Sequence, residues 1–310
     1  MVGDFQRANA AVAVALAHQL LAAQEGGKGK EEQQAQQDEG LFHAGGGDAS
    51  DGSGIIDVSG VVAADPVIQR ALAACSWPGR CQRVGWGGCH LYIDGAHTEQ
   101  SMRAAVAWYD GQMAGMASGA RVPRCLVFHC GEEKAVGELL GHLVGGAPEQ
   151  QPQQPRFELV VFCPVASARP TLATVRPARE LLLTGTAAGD ATRTALCDAL
   201  EEEEATEPQA AEKGEAGGQP WQRALRGAWR VLQAAQLLGD GPSRMTLDPA
   251  AARALVAEAD AQTRTVVCPS VAAALQEVAP PAGEGRPPPE VLVTGSLYLV
   301  GNVLSLVAEE

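Results

Sequence analysis

The segment His90-Leu-Tyr-Ile-Asp-Gly-Ala-His-Thr98 sets a carboxylate, Asp94, and an imidazole, His97, at the end of an apolar run that breaks at Gly95. A short buried strand that stops at glycine and feeds a helix is where α/β proteins hold ligands, beyond the carboxyl ends of the strands. A carboxylate there accepts from ribose hydroxyls, and a histidine near the next helix start faces a phosphate or stacks on a base. The same two residues also fit a plainer part, Asp94 as helix cap and His97 as surface loop. Residue chemistry alone leaves both open. Thr294-Gly295-Ser296 ends a second apolar run. Its glycine lets backbone approach a ligand and its hydroxyls and amides suit an anion at a helix N-terminus. On spacing alone, Ser296 as an N-cap is the simpler reading. Trp77-Pro78-Gly79-Arg80 is a turn that presents a guanidinium, the group suited to bidentate phosphate binding; an exposed turn arginine is its simpler reading.

These loops need elements to carry them, and the patterning supplies strand–helix alternation. Strands are expected at Leu91–Asp94, Arg124–Cys130, Phe157–Cys163, Thr265–Cys268 and Val291–Gly295. Helices are expected over 99–115, around Lys134–Val144, over Ser270–Val278 and from Leu297 to about Val307. Met102, Ala105, Val106 and Tyr109 fall at the spacing of one helical face. The implied fold is α/β, a Rossmann-like, mostly parallel sheet with helices on both faces. Upstream, residues 5–23 read as an alanine- and leucine-rich helix, apolar around most of its circumference, that needs packing partners elsewhere. Residues 24–54, rich in Gly, Gln, Glu and Asp, read as a disordered linker, and 55–76 as a helical connection to a hinge. Tracts near 145–155, 200–220 and 279–289 read as disordered insertions into the domain that spans 77–310.

Composition excludes several classes. The 310 residues carry a net charge of −14 and no basic cluster, which argues against nucleic acid as a partner. The run Glu201–Glu204 reads as a solvated acidic tract. None of the eight cysteines forms a C-x-x-C pair, and no His/Cys cluster has metal-ligand spacing. Cys125, Cys130, Cys163 and Cys268 lie in or beside strand-like runs and read as buried, reduced thiols. No apolar run approaches the ~20 residues of a membrane span, and no signal peptide opens the sequence. Gly-Lys-Ser and Gly-Lys-Thr are absent, Gly26-Gly-Lys-Gly-Lys30 lacks the hydroxyl that should follow its lysine, and neither G-x-G-x-x-G after a strand nor G-x-S-x-G is found.

Six short segments, in order, resemble folylpolyglutamate synthase of the eukaryotic type, a member of the Mur-ligase-like family. Gly3-Asp-Phe-Gln-Arg-Ala-Asn9-Ala10 is similar to G-x-H-Q-x-x-N-A, and Trp77–Gln82 to W-P-G-R-x-Q. Leu91–Thr98 is similar to Y-L-D-G-A-H-T, Phe128-His-Cys-Gly131 to F-N-x-T-G, and Val161–Pro164 to V-F-C-P. Val291–Gly301 is close to VLVTGSLHLVG. The resemblance implies the C-terminal portion of an enzyme that ligates L-glutamate to the γ-carboxylate of a (tetrahydro)folate. The reaction consumes ATP, uses Mg²⁺ and passes through an acyl phosphate. It implies that residues 1–23 are the last helix of an ATPase domain otherwise missing from these 310 residues, with its P-loop and metal ligands, so that the chain alone is inactive. By the same resemblance Asn9, Arg80, Asp94 and His97 bind the nucleotide, and Ser296, with His97, stands at the reacting end. No metal ligand is assigned. Phe5 stands where the family has histidine, and His129 and Cys130 where it has asparagine and a small residue. Rival readings are a non-catalytic nucleotide- or folate-binding fragment and dihydrofolate synthase. The whole enzyme is expected to be a cytoplasmic monomer, with mitochondrial or plastid forms possible in the family.

Overall fold

The computed structural model describes residues 77–116, 122–145, 155–166, 177–183, 191–206, 219–238, 247–280 and 287–309. The expectations for 1–23, 24–54 and 55–76, and those for Phe5 and Asn9, lie outside these residues. Trp77–Glu310 forms one compact unit. Its chain order is β1 (Gln82–Trp86), β2 (Cys89–Ile93), α1 (Glu99–Ala114), β3 (Arg124–Phe128), α2 (Val136–Val144), β4 (Leu159–Phe162) and α3 (Ala178–Leu183). There follow α4 (Ala191–Thr206), α5 (Pro220–Leu237), α6 (Pro249–Gln262), β5 (Arg264–Val267), α7 (Val271–Val278), β6 (Glu290–Thr294) and α8 (Leu297–Ala308).

The six strands stand in the order β1-β2-β6-β3-β4-β5. β1 and β2 form an antiparallel hairpin, and every other pairing is parallel. This is the α/β sheet that the patterning implies. Strand alternation divides the core in two. Tyr92, Leu126, Phe128, Val160, Phe162 and Leu292 pack under α1–α6, whereas Leu91, Ile93, Val127, Val161, Val291 and Val293 pack under α7 and α8. On the first face a chain of ring contacts runs from Trp108 through Tyr92, Tyr109, Phe157 and Trp229 to Phe162 and Phe128. It ties β2, β3 and β4 to the helices above them.

Each strand and helix expected within the described residues is present with its ends shifted by one to a few residues, and four buried cysteines (Cys125, Cys130, Cys163, Cys268) are free thiols. Two expectations are corrected. Strand β1 is absent from the sequence reading because its burial alternates weakly and its outer edge is open. The insertion expected near 200–220 begins inside a helix, and Glu201–Glu204 belong to α4. The run is solvated, as expected, with Glu201, Glu202 and Glu204 exposed, and its carboxylates also meet cations from neighbouring helices. Arg179 of α3 pairs with Asp198 and Glu201, and Arg253 of α6 with Glu202. Arg230 of α5, 4% exposed, donates to Glu203 at 2.8 Å and to Asp260 of α6 at 2.9 Å.

Helix α5 is the central brace of this face, burying Trp221, Leu225, Ala228, Trp229 and Leu232 along one stripe. Arg230 lashes it to α4 and α6. Arg230→Ala is expected to lower stability by about 2 kcal/mol in chemical denaturation, the two carboxylates regaining part of their solvation because they sit nearer water. No change in the denaturation midpoint would show that the helices are held by apolar packing alone.

Candidate functional site

The cleft is built at the carboxyl ends of β2 and β6, which are neighbours in the sheet and pair in register from His90–Glu290 to Ile93–Val293. Asp94 and Ser296 therefore stand at adjacent strand tips. The two connections diverge: β2 runs into α1 on one face of the sheet and β6 into α8 on the other. Diverging connections at adjacent parallel strands open a crevice where ligands bind in such sheets.

Asp94 is 1% exposed. Its Oδ2 accepts from the backbone N–H of Cys81 at 2.9 Å and from the Cys81 thiol at 3.5 Å. Oδ1 is buried and has no partner among the described residues. Burial raises the Asp94 pKa above the ordinary carboxylate value, opposed by the bonds from Cys81, by the charge of Arg80 and by the nearby Ala96 backbone N–H, which makes no hydrogen bond of normal geometry to Oδ1. Asp94 does not cap the following helix, which corrects that reading of it. Thr98 is the N-cap of α1, in a reciprocal capping arrangement with Ser101. Asp94 instead latches the preceding turn. Cys81 has φ +45°, a conformation non-glycine residues adopt at a cost, and the carboxylate holds it there. A second tie runs beside the first, from Gly95 N–H to the Gly79 carbonyl at 3.0 Å.

That latch puts Arg80 over the strand tip. A Cβ on Gly95 would lie 3.1 Å from Arg80 Nη1 and 2.3 Å from a Leu297 methyl, so glycine is what lets the guanidinium and the first turn of α8 close on this backbone. Arg80 is half-buried, and its guanidinium has no hydrogen-bond partner among the described residues. His97 is half-buried as well. Its ring Nδ1 lies 2.8 Å from the Gly95 carbonyl. A carbonyl only accepts, so Nδ1 carries the proton and Nε2 presents a lone pair. Ser296 is 8% exposed and caps α8, its Oγ accepting from Tyr298 N–H at 3.1 Å. The capping reading of Ser296 is thus met; its hydroxyl hydrogen is still available to a ligand. Gly295 has φ +104°, and a Cβ there would fall 2.3 Å from the His129 carbonyl.

The structure brings Arg80, Asp94, His97 and Ser296 to one end of the sheet. Sequence reasoning missed Cys81, because nothing in a cysteine after Arg80 signals a backbone bond thirteen residues on. Thr294, in the strand-end triplet expected to suit an anion, is fully buried, and its Oγ1 has no partner among the described residues. Among the described residues no group of three His, Cys, Asp or Glu side chains is placed to hold a metal ion. No helix of those residues is long and apolar enough to cross a membrane. The large hydrophobic side chains exposed among them are Trp77, Leu297 and Tyr298, at the turn before Arg80 and the start of α8.

The fold and cleft define an α/β protein whose strand-tip loops carry polar groups with no partner among the described residues. The chain resembles folylpolyglutamate synthase. It is 32% identical over 165 residues to the mitochondrial folylpolyglutamate synthase of Bos taurus, a match covering 52% of this chain and 24% of that protein. The mitochondrial enzyme of Homo sapiens is 30% identical over 167 residues, with the same coverage of 52% and 24%. The matched part thus spans about a quarter of the length of these relatives. No family model matches the chain. Among solved structures, the Mycobacterium tuberculosis folylpolyglutamate synthase complexed with ADP superposes with a TM-score of 0.37 at 15% identity, covering 78% of this chain and 35% of that one. The Thermotoga maritima enzyme gives 0.35 at 16% identity, covering 78% and 33%. Superpositions at this level add nothing to the sequence similarity.

A buried carboxylate with a raised pKa makes a distinct stability profile. The folded chain holds the Asp94 proton to higher pH than the unfolded chain does, so its burial costs stability once pH rises above the ordinary carboxylate range. Asp94→Asn keeps an oxygen for Cys81 N–H and removes the charge. At pH 7 the variant is expected to be at least as stable as wild type, with the difference closing as pH falls toward 4 in denaturation titrations (the ordinary carboxylate pKa is about 4). A variant clearly less stable at pH 7 would show that the latch needs the charge.

Proposed function

We propose that the chain is the C-terminal part of a folylpolyglutamate synthase and that the Asp94–Ser296 cleft binds the nucleotide. Carrying this reading is the convergence, at neighbouring strand tips, of three polar groups that have no partner among the described residues: Asp94 Oδ1, the Arg80 guanidinium and His97 Nε2. Their chemistry suits a nucleotide. Asp94 Oδ1 accepts from a ribose hydroxyl, Arg80 meets phosphate oxygens, and the His97 Nε2 lone pair accepts from another hydroxyl or an amino group of the nucleotide. Asn9 is proposed as a further nucleotide-binding residue by the resemblance alone. Ser296 and the N-terminus of α8 face the reacting end, where backbone N–H groups stabilise developing negative charge.

The reaction proposed for the whole enzyme is ligation of L-glutamate to a folate. A γ-carboxylate oxygen attacks the terminal phosphorus of ATP and ADP leaves. The amine of glutamate attacks the resulting acyl carbon, phosphate leaves, and the amine loses a proton. The described residues do not fit a Mg²⁺ site, so no step is assigned to the metal here. With no Gly-Lys-Ser or Gly-Lys-Thr in the sequence, we infer that the 310 residues by themselves bind nucleotide without turning it over. The same observation favours a second reading, a nucleotide-binding module that works without chemistry of its own. A mitochondrial or cytoplasmic location and a monomeric whole enzyme are part of the proposal.

Calorimetry with ADP on the intact chain tests it. Micromolar binding is expected, weakened about tenfold or more by Arg80→Ala and by Asp94→Ala, whose lost contacts are charge-assisted. Binding that is absent, or indifferent to both substitutions, would overturn the reading. Folate- and glutamate-dependent ADP release from the same sample would overturn the inference that the chain alone is inactive.

A further inference from the structure

Strand β6 has a crevice on each side, and the second one, toward β3 and β4, holds His129. Along β3, Leu126 and Phe128 enter the core under α1–α6 and Val127 the core under α7 and α8. His129 follows in that alternation toward the α8 side. Its backbone sits where three strand tips meet. The N–H donates to the Thr294 carbonyl at 3.4 Å, and the carbonyl occupies the space that Gly295 leaves. The ring Nδ1 lies 3.1 Å from the Cys163 carbonyl beyond β4. Since that oxygen only accepts, Nδ1 carries the proton and Nε2 the lone pair. Nε2 has no partner among the described residues. Burial lowers the His129 pKa to about 4, against the opposing pull of the Cys163 carbonyl and Glu133, so the ring is neutral near pH 7.

The surroundings offer acceptors and neutral groups. Glu133 folds over Gly131, two residues from His129, with Lys134 3.3 Å from its carboxylate. The Cys130 and Cys163 thiols are kept protonated by burial. From α8, Asn302 Oδ1 accepts from Ala166 N–H at 2.8 Å just past β4, and Tyr298, one turn earlier on the same helix face, is exposed. A fixed lone pair on a neutral ring repels carboxylate and phosphate oxygens. It attracts an N–H.

We propose that His129 Nε2 accepts a hydrogen bond from the amino group of an α-amino acid bound beside β6, and so selects amine-bearing ligands over plain dicarboxylates. The identity of that amino acid, L-glutamate, rests on the ligase reading above; the amine selectivity rests on the geometry of His129. The ring is held on one side by Cys163 and offers a single acceptor on the other, which fixes where the amine sits. His129 is a binding and orienting residue in this account, and the proton lost by the amine is not assigned to it.

The test uses the intact chain labelled with ¹⁵N-histidine. His129 is assigned by the signals missing from His129→Asn. L-Glutamate is then compared with glutarate, which has both carboxylates and no amine. Glutamate is expected to shift the His129 Nε2 resonance, and glutarate to leave it in place. His129→Ala should weaken glutamate binding about tenfold with no effect on glutarate, and His129→Gln, which returns an acceptor oxygen, should recover part of the loss. Equal responses to the two ligands, or an Nε2 resonance unmoved by glutamate, would overturn the proposal, and the wild-type comparison stands even if a variant fails to fold. ADP calorimetry on the same sample separates the two claims. Loss of ADP binding with the glutamate-selective shift intact sinks the ligase reading alone; ADP binding without that shift sinks the amine site alone.

Discussion

The bond from Cys81 N–H to Asp94 Oδ2 organises this end of the molecule. It holds a non-glycine residue at positive φ, and through that residue it fixes the Trp77–Arg80 turn against the tip of β2. The turn then packs on α8, with Gly79 against Val300 and Leu304, while Leu297 closes over Gly95. The latch and the Gly95–Gly79 backbone bond together hold Arg80 beside the cleft. The arrangement stores a cost in a buried carboxylate with one unpartnered oxygen. Such a group is stabilised when a ligand hydroxyl supplies the missing donor. One Asp94 oxygen thus serves the fold, and the other is the one proposed to meet a ligand.

Sheet topology decides which loops share that end. β6 is flanked by β2 and β3, and its exit into α8 leaves on the face opposite to the exits of its neighbours into α1 and α2. Both sides of β6 therefore open. One side gathers Asp94, His97 and Arg80, and the other His129. Gly295 lies between them, its missing Cβ allowing the β3 tip to approach.

The apolar strand cores and the polar tips that end them were legible in the sequence because both signals are local. Leu91–Ile93, Val127–Phe128 and Val291–Val293 are runs too apolar to be anything but buried, and Asp94 and Ser296 follow them directly. The helical layer over 178–262 was not legible in the same way. Helix α4 is weakly amphipathic, and its acidic run is explained only by Arg179, Arg230 and Arg253, which come from other helices. Strand β1 gains its place from pairing with β2 rather than from a buried pattern. At the site, the types of Asp94 and His97 suggested chemistry, but the division of labour between the two Asp94 oxygens depends on Cys81. The capping of α1 falls to Thr98 because the helix starts at Glu99, four residues further along than Asp94 could cap.

The account stands on the claim that loops at the tips of β2 and β6 face a common nucleotide. Backbone hydrogen exchange of the intact chain, with and without saturating ADP, addresses it directly. Slower exchange is predicted at residues 79–82, 94–98 and 295–298, with the amides of α4–α6 unaffected. Protection confined to one of the two strand-tip loops, or appearing only elsewhere in the chain, would contradict the claim.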